Sequence, residues 1–118
     1  MTVYRITIPN WHPCKINTIL STHAMARSRL KRIDADLIAV YGRMIPKAKA
    51  KRRVKITVTV SGGGREPDPD GFYKSALDGL VKANLLVDDS RKWCESEVVV
   101  ERGSKKQTVI ELFEEMNE

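Results

Sequence analysis

The residues best suited to chemistry lie in one stretch, DPDGFYKSALDGLVKANLLVDD, running from Asp68 to Asp89. Asp68 and Asp70 flank Pro69 at its start, and Asp88 and Asp89 close it. In extended backbone, residues two apart point to the same side, and Pro69 biases Asp68 toward that geometry. Carboxylates brought this close repel unless they are protonated or bridged by a cation. An all-carboxylate set suits Mg²⁺, with Mn²⁺ substituting, and waters or a substrate phosphate complete the shell. A metal held there activates water and stabilises charge developing on a phosphoryl group. No histidine joins the stretch.

The elements that must position these groups can be read around them. Asp70 is a plausible N-cap for a helix running from Gly71 to about Ala83, a structural role compatible with metal binding. Phe72, Ala76, Leu80 and Ala83 form its apolar strip, broadened by Tyr73 and Leu77. Lys74, Asp78 and Lys82 follow at intervals of four on another face. They are either weak surface ion pairs or, for Lys74, a group that touches phosphate or balances the carboxylates. Asn84 is a helix stop. Leu85–Val87 reads as a very short strand, and if it packs beside the strand ending near Val60, Asp88 and Asp89 reach the Asp68–Asp70 mouth.

Ahead of this stretch, Val3, Tyr4, Ile6 and Ile8 mark a strand ended by Pro9. A helix is expected over about 24–44, with Leu30, Ile33, Leu37, Val40, Tyr41 and Met44 as its apolar stripe. Pro46 ends it. The run Lys47, Lys49, Lys51, Arg52, Arg53 and Lys55 then leads into an alternating strand, Val54 to Val60. That basic run is either a phosphate-contacting element or a solvated connection. The glycine-bearing turn Ser61–Gly64 delivers the chain to the first carboxylate pair. After the acidic stretch, Trp93 packs or stacks on a base, and residues 97–113 read as a β-hairpin with Lys105 and Lys106 at its tip.

The 118 residues suit a single domain spanning 1–118, and a 42% hydrophobic content is enough for a core. The expected class is α+β: a small mixed sheet of about four to five strands packed with two main helices. No apolar run approaches the ~20 residues a membrane span needs, and residues 1–9 do not resemble an export signal. Cys14 and Cys94 have no metal spacing and nothing in the sequence supports a bridge between them; with no export signal, a reducing, cytoplasmic setting is expected. The net charge of +6 is uneven: residues 1–60 hold thirteen Lys and Arg against two Asp, whereas residues 61–118 hold eight against thirteen acidic groups. A basic half beside an acidic cluster suits a polyanion held next to a metal.

Spacing alone leaves several readings open. An Asp-x-Asp pair also occurs in phosphatases, although those need a larger parallel domain. An EF-hand is excluded because Gly71 comes too early in the loop. Taken together, the Asp68-x-Asp70 pair, Lys74 four residues on, Asp78-Gly79-Leu80 in the helix, and Leu85–Val87 running into Asp88-Asp89 resemble the RusA family of Holliday junction resolvases. The opening strand, the loop Pro9–Pro13 and Asn17 are also similar. The resemblance implies a small α+β homodimer that binds four-way or other branched DNA and introduces paired symmetric nicks with Mg²⁺ or Mn²⁺. It implies Asp68, Asp70 and Asp89 as principal metal ligands, Asp88 as adjacent support, and Lys74 as a catalytic, substrate-facing or charge-balancing group. Gly71 departs from the family pattern, which has Asn there. The alternative is a non-catalytic module that binds branched DNA through the same basic surface.

Overall fold

A computed structural model describes residues 2–11, 24–61, 70–88, 90 and 92–114, without the side chains of 24–28, 30–31 and 70–73. The chain is an α+β domain. Its elements are β1 (Thr2–Pro9), α1 (Ala24–Tyr41), β2 (Arg52–Val60), α2 (Asp70–Lys82), β3 (Cys94–Arg102) and β4 (Gln107–Glu114). The four strands form one mixed sheet in the order β1-β4-β2-β3. β4 is antiparallel to both of its neighbours, and β2 and β3 are parallel. Among the described residues no helix is long and apolar enough to cross a membrane.

The period-2 pattern explains the sheet's two faces. Even-numbered strand residues point toward the helices, and one row across the sheet reads Ile6, Ile110, Ile56, Val98. Ile6, Ile56 and Ile110 are almost fully buried, as are Val54, Val58 and Leu112. Ile38 of α1 and Ala76, Leu77 and Leu80 of α2 complete that core. Burying side chains of this size contributes about 1.5–3 kcal/mol each. Odd-numbered residues form the outer face, where Arg5 binds Glu111 at 3.0 Å.

Three local expectations differ from the structure. First, residues 97–113 are not a hairpin: β2 lies between β3 and β4. The connection passes over the end of β2, where the Gly103 N–H donates to the Val60 carbonyl (3.0 Å). A Cβ on Gly103 would sit 2.6 Å from Thr59 Cγ2, so any larger residue at the crossing must displace that side chain. Periodicity specifies which face a residue occupies and is silent about which strand lies beside it. Here the almost wholly buried inner face of β2 takes a central position, and the Glu-rich β3 takes an edge.

Second, Leu85–Val87 is not a strand. It follows a left-handed helix cap: Asn84 has φ 60°, the Leu85 N–H donates to the Leu80 carbonyl (2.9 Å) and the Asn84 N–H to that of Val81 (3.0 Å). That pair of bonds satisfies the last carbonyls of α2, and Leu85 and Leu86 then turn into the core.

Third, the expected stripe on α1 faces outward. Ile33, Val40, Tyr41 and Met44 are exposed, while Asp34, Ala35 and Ile38 are buried. The apolar positions of this helix cover more than half its circumference at ~100° per residue, and the fold uses the half with the smallest residues. A Cβ on Gly79 of α2 would lie 2.7 Å from Ile38 Cδ1 and 3.4 Å from Ala35 Cα, so the two helices approach closely there.

Candidate functional site

Asp70 is the first residue of α2. Lys74 follows one turn later and is exposed; Asp78 is half-buried and Lys82 exposed. The helix forms because Ser75, Ala76, Leu77 and Leu80 present one face to the core. That orientation leaves Lys74 toward solvent. Neither Lys74–Asp78 nor Asp78–Lys82 forms an ion pair among the described residues. Asp68 and Asp89 lie outside the described residues. Asp88 is described and exposed.

The helix also separates Asp70 from Asp88. From Asp70 to Lys82 it rises about 18 Å, at 1.5 Å per residue. Beyond the Asn84 cap, the chain stays at that far end. The Asn84 carbonyl accepts from the Ala48 N–H (2.8 Å), and the Trp93 and Cys94 N–H groups both donate to the Ser90 carbonyl (2.9 Å). Cys94 pairs with Arg52, at the start of β2 rather than at its Val60 end. Asp88 therefore stands at the opposite end of α2 from Asp70, and one chain does not bring the two together. Among the described residues no group of three or more acidic, His or Cys side chains is placed to share a metal ion. The expected carboxylates form an oxygen-only donor set, which fits Mg²⁺ or Mn²⁺ by type.

Two polar networks hold the ends of α2. At the far end, Arg52 is 1% exposed. Its Nη1 donates to the Leu85 carbonyl (3.0 Å) and its Nη2 to the Pro46 carbonyl (2.9 Å). Glu114 approaches Nη2 at 3.5 Å, and the guanidinium lies 5.0 Å from the Tyr4 ring centroid. Arg52 Nε has no hydrogen-bond partner among the described residues. Arg52 is thus withdrawn from the exposed part of the basic run, whether that run contacts phosphate or is a solvated connection. Its neighbours stay exposed: Lys51 binds Glu95 at 2.9 Å, and Arg53 lies over the Phe113 ring at 5.3 Å. The hydrogen bond and charge of Lys51 hold the Glu95 carboxyl below its usual pKa.

Nearer the start of α2, Ser75 Oγ donates to Asp34 Oδ2 at 2.6 Å, and Trp11 Nε1 donates to Asp34 Oδ1 at 3.1 Å. Thr108 Oγ1 donates to the Trp11 carbonyl at 2.8 Å. This buried carboxylate joins α1, α2 and the end of β1. Because Ser75 adjoins Lys74, it also fixes the rotation of the helix that carries Lys74. Sequence reasoning missed Asp34. Its signal was a lone acidic residue inside the wide apolar sector of α1, one turn before Ile38.

Exposed basic residues gather at the Asp88 end. Arg43, Lys47 and Lys49 lie on the segment between α1 and β2, and Lys92 lies just before β3 with its Nζ 5.4 Å over the half-buried Trp93 ring. Arg29 and Arg32 are exposed along α1. A hollow of about 320 Å³ on the outer sheet face is lined partly by Arg53, Lys55, Glu95, Glu97 and Phe113. Its charges are of both signs, which suits no single ionic ligand. A scan against protein-family models returns no match, and a search of curated proteins returns none either.

Proposed function

We propose that the chain is a metal-dependent endodeoxyribonuclease of the junction-resolving type, resembling the RusA family, and that it acts as a cytoplasmic homodimer on four-way or other branched DNA. The observation that carries the reading is the sequence order Asp68, Asp70, Lys74, Asp78, Asp88, Asp89 in a chain whose first half is strongly basic. Two features support it: Lys74 is exposed one turn from the start of α2, and exposed Arg and Lys side chains line one end of the domain.

In this reading the carboxylates hold Mg²⁺ or Mn²⁺, which supplies an activated water and stabilises charge on the scissile phosphate. Lys74 faces the phosphate or balances the carboxylates. The basic residues hold DNA backbones, largely without regard to sequence. In this reading the Asp88–Asp89 end of a second copy meets the Asp68–Asp70 mouth. A closed two-fold pair also matches two strands to be cut.

Wild type and Asp70→Asn, each incubated with a synthetic four-way junction and Mg²⁺, test the reading. Loss of cleavage with junction binding retained is the expected result. A wild type that binds the junction and leaves it intact, in Mn²⁺ as well, favours the non-catalytic module.

A further inference from the structure

A carboxylate buried in an apolar sector costs free energy that an alanine or leucine there would not. Asp34 is such a group: it is 5% exposed on the side of α1 that packs against α2, between the helix's buried apolar residues. Ser75 Oγ donates to its Oδ2 at 2.6 Å and Trp11 Nε1 to its Oδ1 at 3.1 Å. Thr108 Oγ1 donates to the Trp11 carbonyl (2.8 Å) and extends the tie to β4. The end of β1, α1, α2 and β4 thus meet around one side chain, one residue from Lys74.

The rest of the contact between the helices is built on small residues, with Ala35 and Ile38 against Gly79. Apolar contact is non-directional and sets how near the helices come. A hydrogen bond weakens steeply with distance and angle, so it also resists rotation. Lys74 lies about 100° round the helix from Ser75 and about 1.5 Å along it. Its side chain is exposed and makes no ion pair among the described residues, so the helix alone aims it. An α-helix with its side chains is about 10–12 Å across, and turning it by about 15° carries a side-chain tip roughly 1.5 Å. A misplacement of about 1 Å can cost on the order of 10²-fold in rate.

We infer that Asp34 is a positioning residue for the candidate site: through Ser75 it sets the rotation of α2 and with it the placement of Lys74 against a scissile phosphate. The inference rests on the proposed nuclease for the reaction, but not for the rotation of the helix. Asp34 itself is buried beneath the two helices and touches neither metal nor DNA. What the role demands is geometry rather than charge: an acceptor for Trp11 and a partner for the Ser75 hydroxyl. Asparagine meets both demands, since its carbonyl accepts from Trp11 and its amide donates to Ser75 Oγ, which can accept as well as donate. Alanine meets neither.

Cleavage kinetics on a four-way junction in Mg²⁺, at a temperature where circular dichroism shows each variant folded, test the assignment. Asp34→Ala should lower kcat at least about tenfold while KM and junction affinity stay within about threefold. Ser75→Ala should do the same, and serves if Asp34→Ala does not fold. Asp34→Asn should keep kcat within about threefold of wild type. A second readout needs no activity. Amide residual dipolar couplings along α2 oscillate with a period of about 3.6 residues, and their phase reports rotation about the helix axis. The phase should shift in both alanine variants and hold in Asp34→Asn. An unshifted phase, full kcat in a folded alanine variant, or an Asp34→Asn as impaired as Asp34→Ala would overturn the proposal. A wild type that leaves the junction intact removes the nuclease reading, and the phase alone then decides whether Asp34 sets α2.

Discussion

The two ends of α2 treat charge in opposite ways. At the C-terminal end, Arg52 is drawn inside and its Nη1 and Nη2 are tied to the Leu85 and Pro46 carbonyls. Near the N-terminal end, Asp34 is drawn inside and satisfied by Ser75 and Trp11. Lys74, one residue from Ser75, stays in solvent without an ion pair among the described residues. A charge that the fold needs is buried with its partners, because an unpaired one costs several kcal/mol. A charge that the fold does not need is left where another molecule can reach it. The contrast between Arg52 and Lys74 thus separates architecture from candidate chemistry within one helix's reach.

Substitutions at these positions break or sharpen that contrast. Arg52→Met should be the most damaging. It leaves the Leu85 and Pro46 carbonyls without their donor, and a loss of about 3 kcal/mol is expected from the urea midpoint. Arg53→Ala, next door but exposed, should cost under about 1 kcal/mol in the same measurement. Ser75→Ala removes a bond to a buried carboxylate and should cost about 1–3 kcal/mol. Asn84→Ala places an ordinary side chain at φ 60° and should cost about 1 kcal/mol, whereas Asn84→Gly should be close to neutral.

Smaller effects follow for exposed groups. Lys74→Ala should move the urea midpoint by no more than about 0.5 kcal/mol; in the proposed nuclease it should nonetheless abolish most cleavage. Glu95 is the mildest case. Its carboxyl is held low by Lys51, so the pair contributes at neutral pH and is lost as pH falls through the range below the usual carboxylate value. An NMR titration should find Glu95 below the ordinary range and rising toward it in Lys51→Ala.

How far the sequence could be read depended on which physical signal each element carries. Alternation placed β1, β2 and β4 on their residues because a half-buried sheet imposes a period of two. Asn84 was legible as a helix stop because few other residues tolerate its backbone angle. Arg52 was not: inside a run of lysines and arginines, nothing local separates the one side chain that points inward from those that do not, except that Val54, Ile56 and Val58 share its parity. The α1 stripe was misread because hydrophobicity ranks Ile33 and Val40 above Ala35, whereas close helix packing against Gly79 selects the small residues. The Leu85–Val87 segment had strand-like composition and too little length to form a ladder. Of the expected metal ligands, Asp68 and Asp89 lie outside the described residues. The separation of Asp70 from Asp88 depends on where the chain goes after its helix cap, which side-chain pattern does not encode.

The central claim is that this chain cuts branched DNA at paired positions. The most direct measurement incubates the wild-type protein with an end-labelled four-way junction in Mg²⁺ and maps the products on each strand. The account predicts nicks at symmetry-related positions on two opposing strands, with ends that ligase reseals. Junction binding with all four strands left intact, in Mg²⁺ and in Mn²⁺ at low salt, would contradict it.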